Sequence, residues 1–86
     1  MSQTIPMTPE GYVRLQEELK RLMREERPRV VQAIAEARDH GDLSENAEYD
    51  AAKEEQQHLE LRISKLELTL SRAKIIEAKD LTLEVR

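Results

Sequence analysis

Asp42 and Glu45 stand three residues apart, directly after Gly41, in a chain rich in charge. In the first turn of a helix that spacing holds two carboxylates on one side. Carboxylates so placed can share a divalent cation. They can also be purely structural, because Asp at an N-cap with Glu three residues later satisfies free backbone N–H groups and suits the helix dipole. Glu48 and Asp50 add negative charge that no cap requires. As a self-contained Mg²⁺ site the pair is poor: Mg²⁺ wants near-octahedral oxygen coordination, and the field at a helix N-terminus opposes a cation. The two acids make better chemical sense as half a site, completed by carboxylates or phosphates of another molecule.

Neighbouring residues supply no catalytic machinery. His40 falls in the last turn of a helix, where an imidazolium complements the dipole. His58 lies far from the acids on the second arm. Ser44 has no base arranged to activate it, and the chain has no cysteine, so thiolate nucleophiles, disulfides and zinc–thiolate sites are excluded. Arg38 and Lys53 flank the acidic stretch and read by default as solvated charges. Tyr49 reads as an interface residue. No self-contained enzyme is visible.

The acids must be held by helices. Gly41 follows a long helix-permissive run and can close its end, and Asp42 is expected to cap the next helix. Apolar residues on both sides step by three and four, the spacing of a coiled-coil seam. Folded back on itself, the chain pairs Tyr12 with Ala73, Leu15 with Leu70, Leu19 with Leu66 and Leu22 with Ile63, one residue forward for each residue back. Nearer the turn the pairs are Ile34 with Ala52 and Ala37 with Tyr49, shifted by one. Both series centre near residue 43, which places the reversal beside Gly41 and Asp42. The fold class is therefore all-α: an antiparallel two-helix coiled-coil hairpin with a tight acidic tip and a short strand-like C-terminal tail.

Composition agrees. Charged residues make up 37% of 86 and aromatic ones 2%, which suits a long exposed helical pair rather than a thick-cored globule. No apolar run approaches a membrane span, and a cytoplasmic protein is expected. The net charge of −4 is unevenly spread. Residues 41–60 carry Asp42, Glu45, Glu48, Asp50, Glu54, Glu55 and Glu60 against Lys53 alone. Phosphate-tracking surfaces need the opposite sign, so free-standing sequence-specific DNA binding is not expected. The tip wants a cation or a basic surface.

In chain order, residues 1–8 read as an extended lead-in, with Thr8 as N-cap and Pro9 in the first helical position. The hairpin spans 9–74, with arms at about 9–40 and 43–73 and the tip at 40–46. Pro28 removes one intrahelical hydrogen bond and is expected to bend the first arm. The seam is expected to falter there, with Glu26 facing Leu59 and Val30 facing Gln56. At ~1.5 Å per residue the arms hold the tip ~45 Å from the open end, which should fray unless covered. Ile75-Ile76 and Leu81-Thr82-Leu83-Glu84-Val85 look like strands with no second strand to pair with.

The run Gly41-Asp42-Leu43-Ser44-Glu45-Asn46-Ala47-Glu48-Tyr49-Asp50-Ala51-Ala52-Lys53 closely resembles the tip of bacterial Gre transcript cleavage factors, GreA type. Met7-Thr8-Pro9-Glu10-Gly11, Arg27-Pro28, Ala33 to Arg38 and Leu70 to Lys74 extend the likeness to roughly Ile5–Ile76. The resemblance implies a non-enzymatic partner of bacterial RNA polymerase whose hairpin enters the secondary channel. There the residues matching Asp42 and Glu45 help hold a second Mg²⁺, shared with the polymerase, while the polymerase hydrolyses its own backtracked RNA. Arg38 and Lys53 match a basic patch that meets that RNA. Family members continue into an FKBP-like C-terminal domain, so residues 75–86 are expected to be linker and the start of a missing domain. Two rivals stand beside this reading: a non-catalytic channel binder, and a structural spacer or interaction module.

Overall fold

The computed structural model describes residues 3–40 and 46–77. Along the chain these form strand β1 (Ile5–Met7), helix α1 (Pro9–Arg21), a π-helical turn (Leu22–Glu26), helix α2 (Arg27–Asp39), helix α3 (Ala47–Ser71) and strand β2 (Ala73–Ile75). The first arm of the hairpin is α1, the π turn and α2; the second is α3. The two lie side by side in a rod of 66 × 26 × 18 Å. Its radius of gyration is 19.0 Å, against about 12 Å for a compact domain of this length.

The start of α1 forms as the sequence dictates. Thr8 takes extended backbone angles, its Oγ1 accepts from the Gly11 N–H at 3.0 Å, and Pro9 occupies the first turn. The seam residues then meet. Leu22, Val30, Ile34, Ala52, Leu59 and Ile63 form one buried cluster, with Leu19, Ala33, Tyr49 and Leu66 packed against it. No polar or charged residue among those described is buried, so the helices associate through this apolar stripe.

The first arm is interrupted just before Pro28 by the π turn. One turn before Pro28 the helix widens, and the Arg27 N–H donates to the Leu22 carbonyl five residues back instead of four. Pro28 has no N–H to offer the Arg24 carbonyl, and its ring would collide with that carbonyl in a regular helix. The wide turn gives the ring room and lets Pro28 stand in the first turn of α2. The seam does not falter here: Val30 is 1% exposed and Leu59 9%. Glu26 lines one groove with Leu59, and its carboxylate bonds Arg21 and Arg29 at the edge of the seam.

The expectation that the tail has no strand partner is also overturned. β2 pairs in parallel with β1, Ile5 opposite Ala73 and Met7 opposite Ile75. The Ile5 N–H donates to the Arg72 carbonyl and the Ile76 N–H to that of Met7, each at 2.8 Å. The hairpin returns the chain to its starting point, so the extended lead-in becomes the missing strand. Two strands alone are marginal, but here the helical crossover already holds their ends together. Leu81 to Val85 lie outside the described residues.

The tip of the hairpin as candidate functional site

Helix α3 begins at Ala47, and its cap is Asn46. The Asn46 backbone is extended, and its Oδ1 accepts from the Tyr49 N–H at 3.1 Å. Its Nδ2 donates across the reversal to the carbonyl of Ala37, near the end of α2. One side chain thus starts the second arm and ties it to the first. This corrects the expectation that Asp42 is the N-cap with Glu45 as its box partner. The sequence concealed Asn46 because Tyr49, not Glu or Gln, sits at the third helical position, so no capping-box pattern marks it. A plain preference of Asn for the N-cap was the available signal.

Glu48 and Asp50 fall in the first turn of α3, where negative charge suits the dipole. Asp42 and Glu45 precede the cap of α3 in sequence. Their own placement lies outside the described residues, as does that of Gly41 and Ser44. Among the described residues, no three His, Cys, Asp or Glu side chains come together to hold a metal ion.

Below the reversal the two flanks of the seam differ in charge. On one flank Arg38 and Lys53 line the same shallow groove with Val31, Ile34, Ala35 and Gln56. The Arg38 guanidinium stands 5.9 Å from the centroid of the Tyr49 ring, within cation–π range. Lys53 Nζ donates to Gln56 Oε1 at 3.3 Å. Two cations fifteen positions apart in sequence become neighbours because α2 and α3 run antiparallel at the Ile34–Ala52 level. The other flank carries Glu36, His40, Glu48 and Glu55 around a floor of alanines. His40 ends α2, and its Nδ1 lies 2.9 Å from Glu48 Oε1. That hydrogen bond, and then the charge of Glu48, raise the imidazole above its ordinary pKa. His58 is remote, in the mid-rod groove beside Leu22, Leu59 and Arg62.

A slender antiparallel helical pair, its ends joined by a two-stranded parallel sheet and a basic groove lying along one flank of its tip half, belongs to the class of helical-hairpin proteins. The N-terminal domain family of the transcription elongation factors GreA and GreB matches residues 5–75, and the chain belongs to that family. It is 68% identical over 77 residues to the transcription elongation factor GreA of Beijerinckia indica, an alignment covering 90% of this chain and 49% of that protein. Identity is 64% over 77 residues to GreA of Trichlorobacter lovleyi, with the same coverage. For GreA of Syntrophotalea carbinolica it is 62% over 80 residues, 93% of this chain and 51% of that protein. The chain spans about half the length of the curated relatives it matches.

Proposed function

We propose that this hairpin enters the secondary channel of bacterial RNA polymerase and stimulates the polymerase's own hydrolysis of backtracked RNA, acting in the cytoplasm as part of a transcription elongation factor. Asp42 and Glu45 are the residues that reach the reacting centre. The observation that carries this reading is the family match over residues 5–75, and the cap of α3 supports it, because Asn46 and not an acid starts that helix. Carboxylate oxygens are the donors that Mg²⁺ prefers, and two of them are too few for a complete shell. The set fits a cation shared with the polymerase's carboxylates. Asp42 and Glu45 would help hold a Mg²⁺ there, which would supply charge neutralisation and an activated water for phosphodiester hydrolysis. A chain 18–26 Å across and 66 Å long has the proportions to pass down a channel, and no helix among the described residues is long and apolar enough to cross a membrane.

The basic groove has the complementary task. Arg38 and Lys53 would meet phosphates of the RNA segment that backtracking extrudes, keeping the strand beside the tip. The protein performs no chemistry alone; the polymerase active centre does it with help in trans.

The test is cleavage of stalled, backtracked elongation complexes with this chain, its Asp42→Asn and Glu45→Gln variants, or buffer. Acceleration by the wild-type chain with a loss of about 10²-fold in either variant is expected, the usual consequence of removing one placed electrostatic group. Equal acceleration by all three would refute the role of the acids. Slowed elongation with no cleavage would identify a channel binder that only obstructs.

A further inference from the structure

From Leu22 to Ile34 the first arm advances twelve residues, while from Ile63 to Ala52 α3 returns eleven, yet all four side chains lie in one buried cluster. The first arm therefore holds one residue more than the seam can match. The same surplus shows in rotation. Leu22 and Val30 are eight positions apart, and a regular α-helix at ~100° per residue would turn them ~80° away from each other. Seven positions would leave only ~20°. Both are buried, at 2% and 1% exposure. The π turn lies between them, with the Arg27 N–H bonded to the Leu22 carbonyl, and a π turn takes up one additional residue within a helix.

We infer that the π turn at Leu22–Glu26 is a phase-setting joint: it absorbs one surplus residue and thereby places Arg38 on the same flank of the hairpin as Lys53. Pro28 fits the joint but does not cause it. Without the joint, the tip half of the arm would be turned by roughly a quarter turn, carrying Val30, Ile34 and Ala37 off the seam and Arg38 out of its groove.

Side chains brace the joint on both flanks. On one, ion pairs run from Arg62 to Glu18 (2.6 Å), Glu18 to Arg21 (3.3 Å), Arg21 to Glu26 (3.2 Å), Glu26 to Arg29 (3.0 Å) and Arg29 to Glu55. This ladder leaves α3, crosses α1, the π turn and α2, and returns to α3. On the other flank Arg27 bonds Glu60 through two nitrogens. Isolated exposed pairs contribute little, whereas a connected network fixes geometry. The network spans the one place where the two helices disagree in length.

The geometry stands without any functional reading; its bearing on RNA rests on the reading proposed above. Because the chain has no cysteine, disulfide mapping is unambiguous. Cysteine pairs at Leu19/Leu66 report the open-end half, and pairs at Ile34/Ala52 report the tip half. Both should form in the otherwise unaltered chain and also in Pro28→Ala, since phase rather than proline demands the turn. Deleting Arg24 in the Pro28→Ala background removes the surplus residue. Both pairs should still form, with Tm at or above that of the undeleted chain. Inserting an alanine after Arg24 adds a second surplus residue. It should lower the Ile34/Ala52 yield at least tenfold and leave Leu19/Leu66 intact. Loss of the Ile34/Ala52 bond in Pro28→Ala, or in the deletion, would overturn the inference, as would its survival in the insertion. Photo-crosslinking of backtracked RNA to the insertion variant is a separate readout. If the RNA reading is wrong, that signal is absent from wild type too, while the cysteine pattern is unchanged.

Discussion

Arg27 lies against Glu60 in a two-nitrogen clasp, Nε to Oε2 at 2.9 Å and Nη2 to Oε1 at 2.8 Å, joining the first residue of α2 to the middle of α3. The hydrogen bond from Arg27 is the chief cause that holds the Glu60 carboxyl below its ordinary pKa. A carboxyl depressed in the folded state stabilises the fold above its unfolded value and loses that contribution as pH falls through the folded value. Tm of wild type should therefore exceed that of Glu60→Gln near neutrality by a modest margin, since both side chains are about 40% exposed. The margin should close as pH is lowered beneath the usual carboxylate range. A pH-independent margin would mean the pair contributes by packing alone.

Asn46 and Asp42 can be separated by stability. Asn46→Ala removes both the acceptor for the Tyr49 N–H and the donor to the Ala37 carbonyl. Loss of an N-cap costs ~1 kcal/mol, within a range of about 0.5–2. Asp42→Ala should leave Tm nearly unchanged, because α3 has its cap elsewhere. Thermal unfolding of the two variants checks this. A larger loss from Asp42→Ala than from Asn46→Ala would restore the capping role to Asp42.

At the open end, Ile5→Pro removes the N–H that bonds the Arg72 carbonyl and places proline inside a strand. Hydrogen exchange at the Ile76 amide should accelerate by tenfold or more as the sheet opens locally. Amides in the middle of α3, near Leu59 and Ile63, should keep their protection. Equal acceleration along the whole chain would show that the sheet and the hairpin open together.

Arg38→Gln and Lys53→Gln test the basic groove. Each should reduce photo-crosslinking of backtracked RNA several-fold, with helicity retained. The loss should be smaller at high salt, where phosphate contacts are already weakened. Crosslinking indifferent to both changes would return the two residues to ordinary surface charge.

The sequence alone determined the hairpin, because everything that makes it is local or periodic. Thr8 caps α1 through a bond to Gly11 three residues away, and the three-and-four spacing of Leu19 and Leu22 on one arm and of Leu59, Ile63 and Leu66 on the other defines a stripe whatever surrounds it. The three-residue spacing of Asp42 and Glu45 is likewise a local pattern, though their placement lies outside the described residues. Tertiary structure decided the rest. The one-residue offset between the two pair series was present in the sequence, but the π turn that takes up the surplus appears only in the packed seam, which buries both Leu22 and Val30. Asn46 became the cap because its amide also reaches Ala37 across the reversal, a contact that one-dimensional cap patterns do not contain. β1 acquired a partner at the far end of the chain, since a strand's pairing depends on which segments the fold brings side by side. Arg38 and Lys53 came to share a groove through the relative register and phase of two helices, which is settled by packing between them and by neither helix alone.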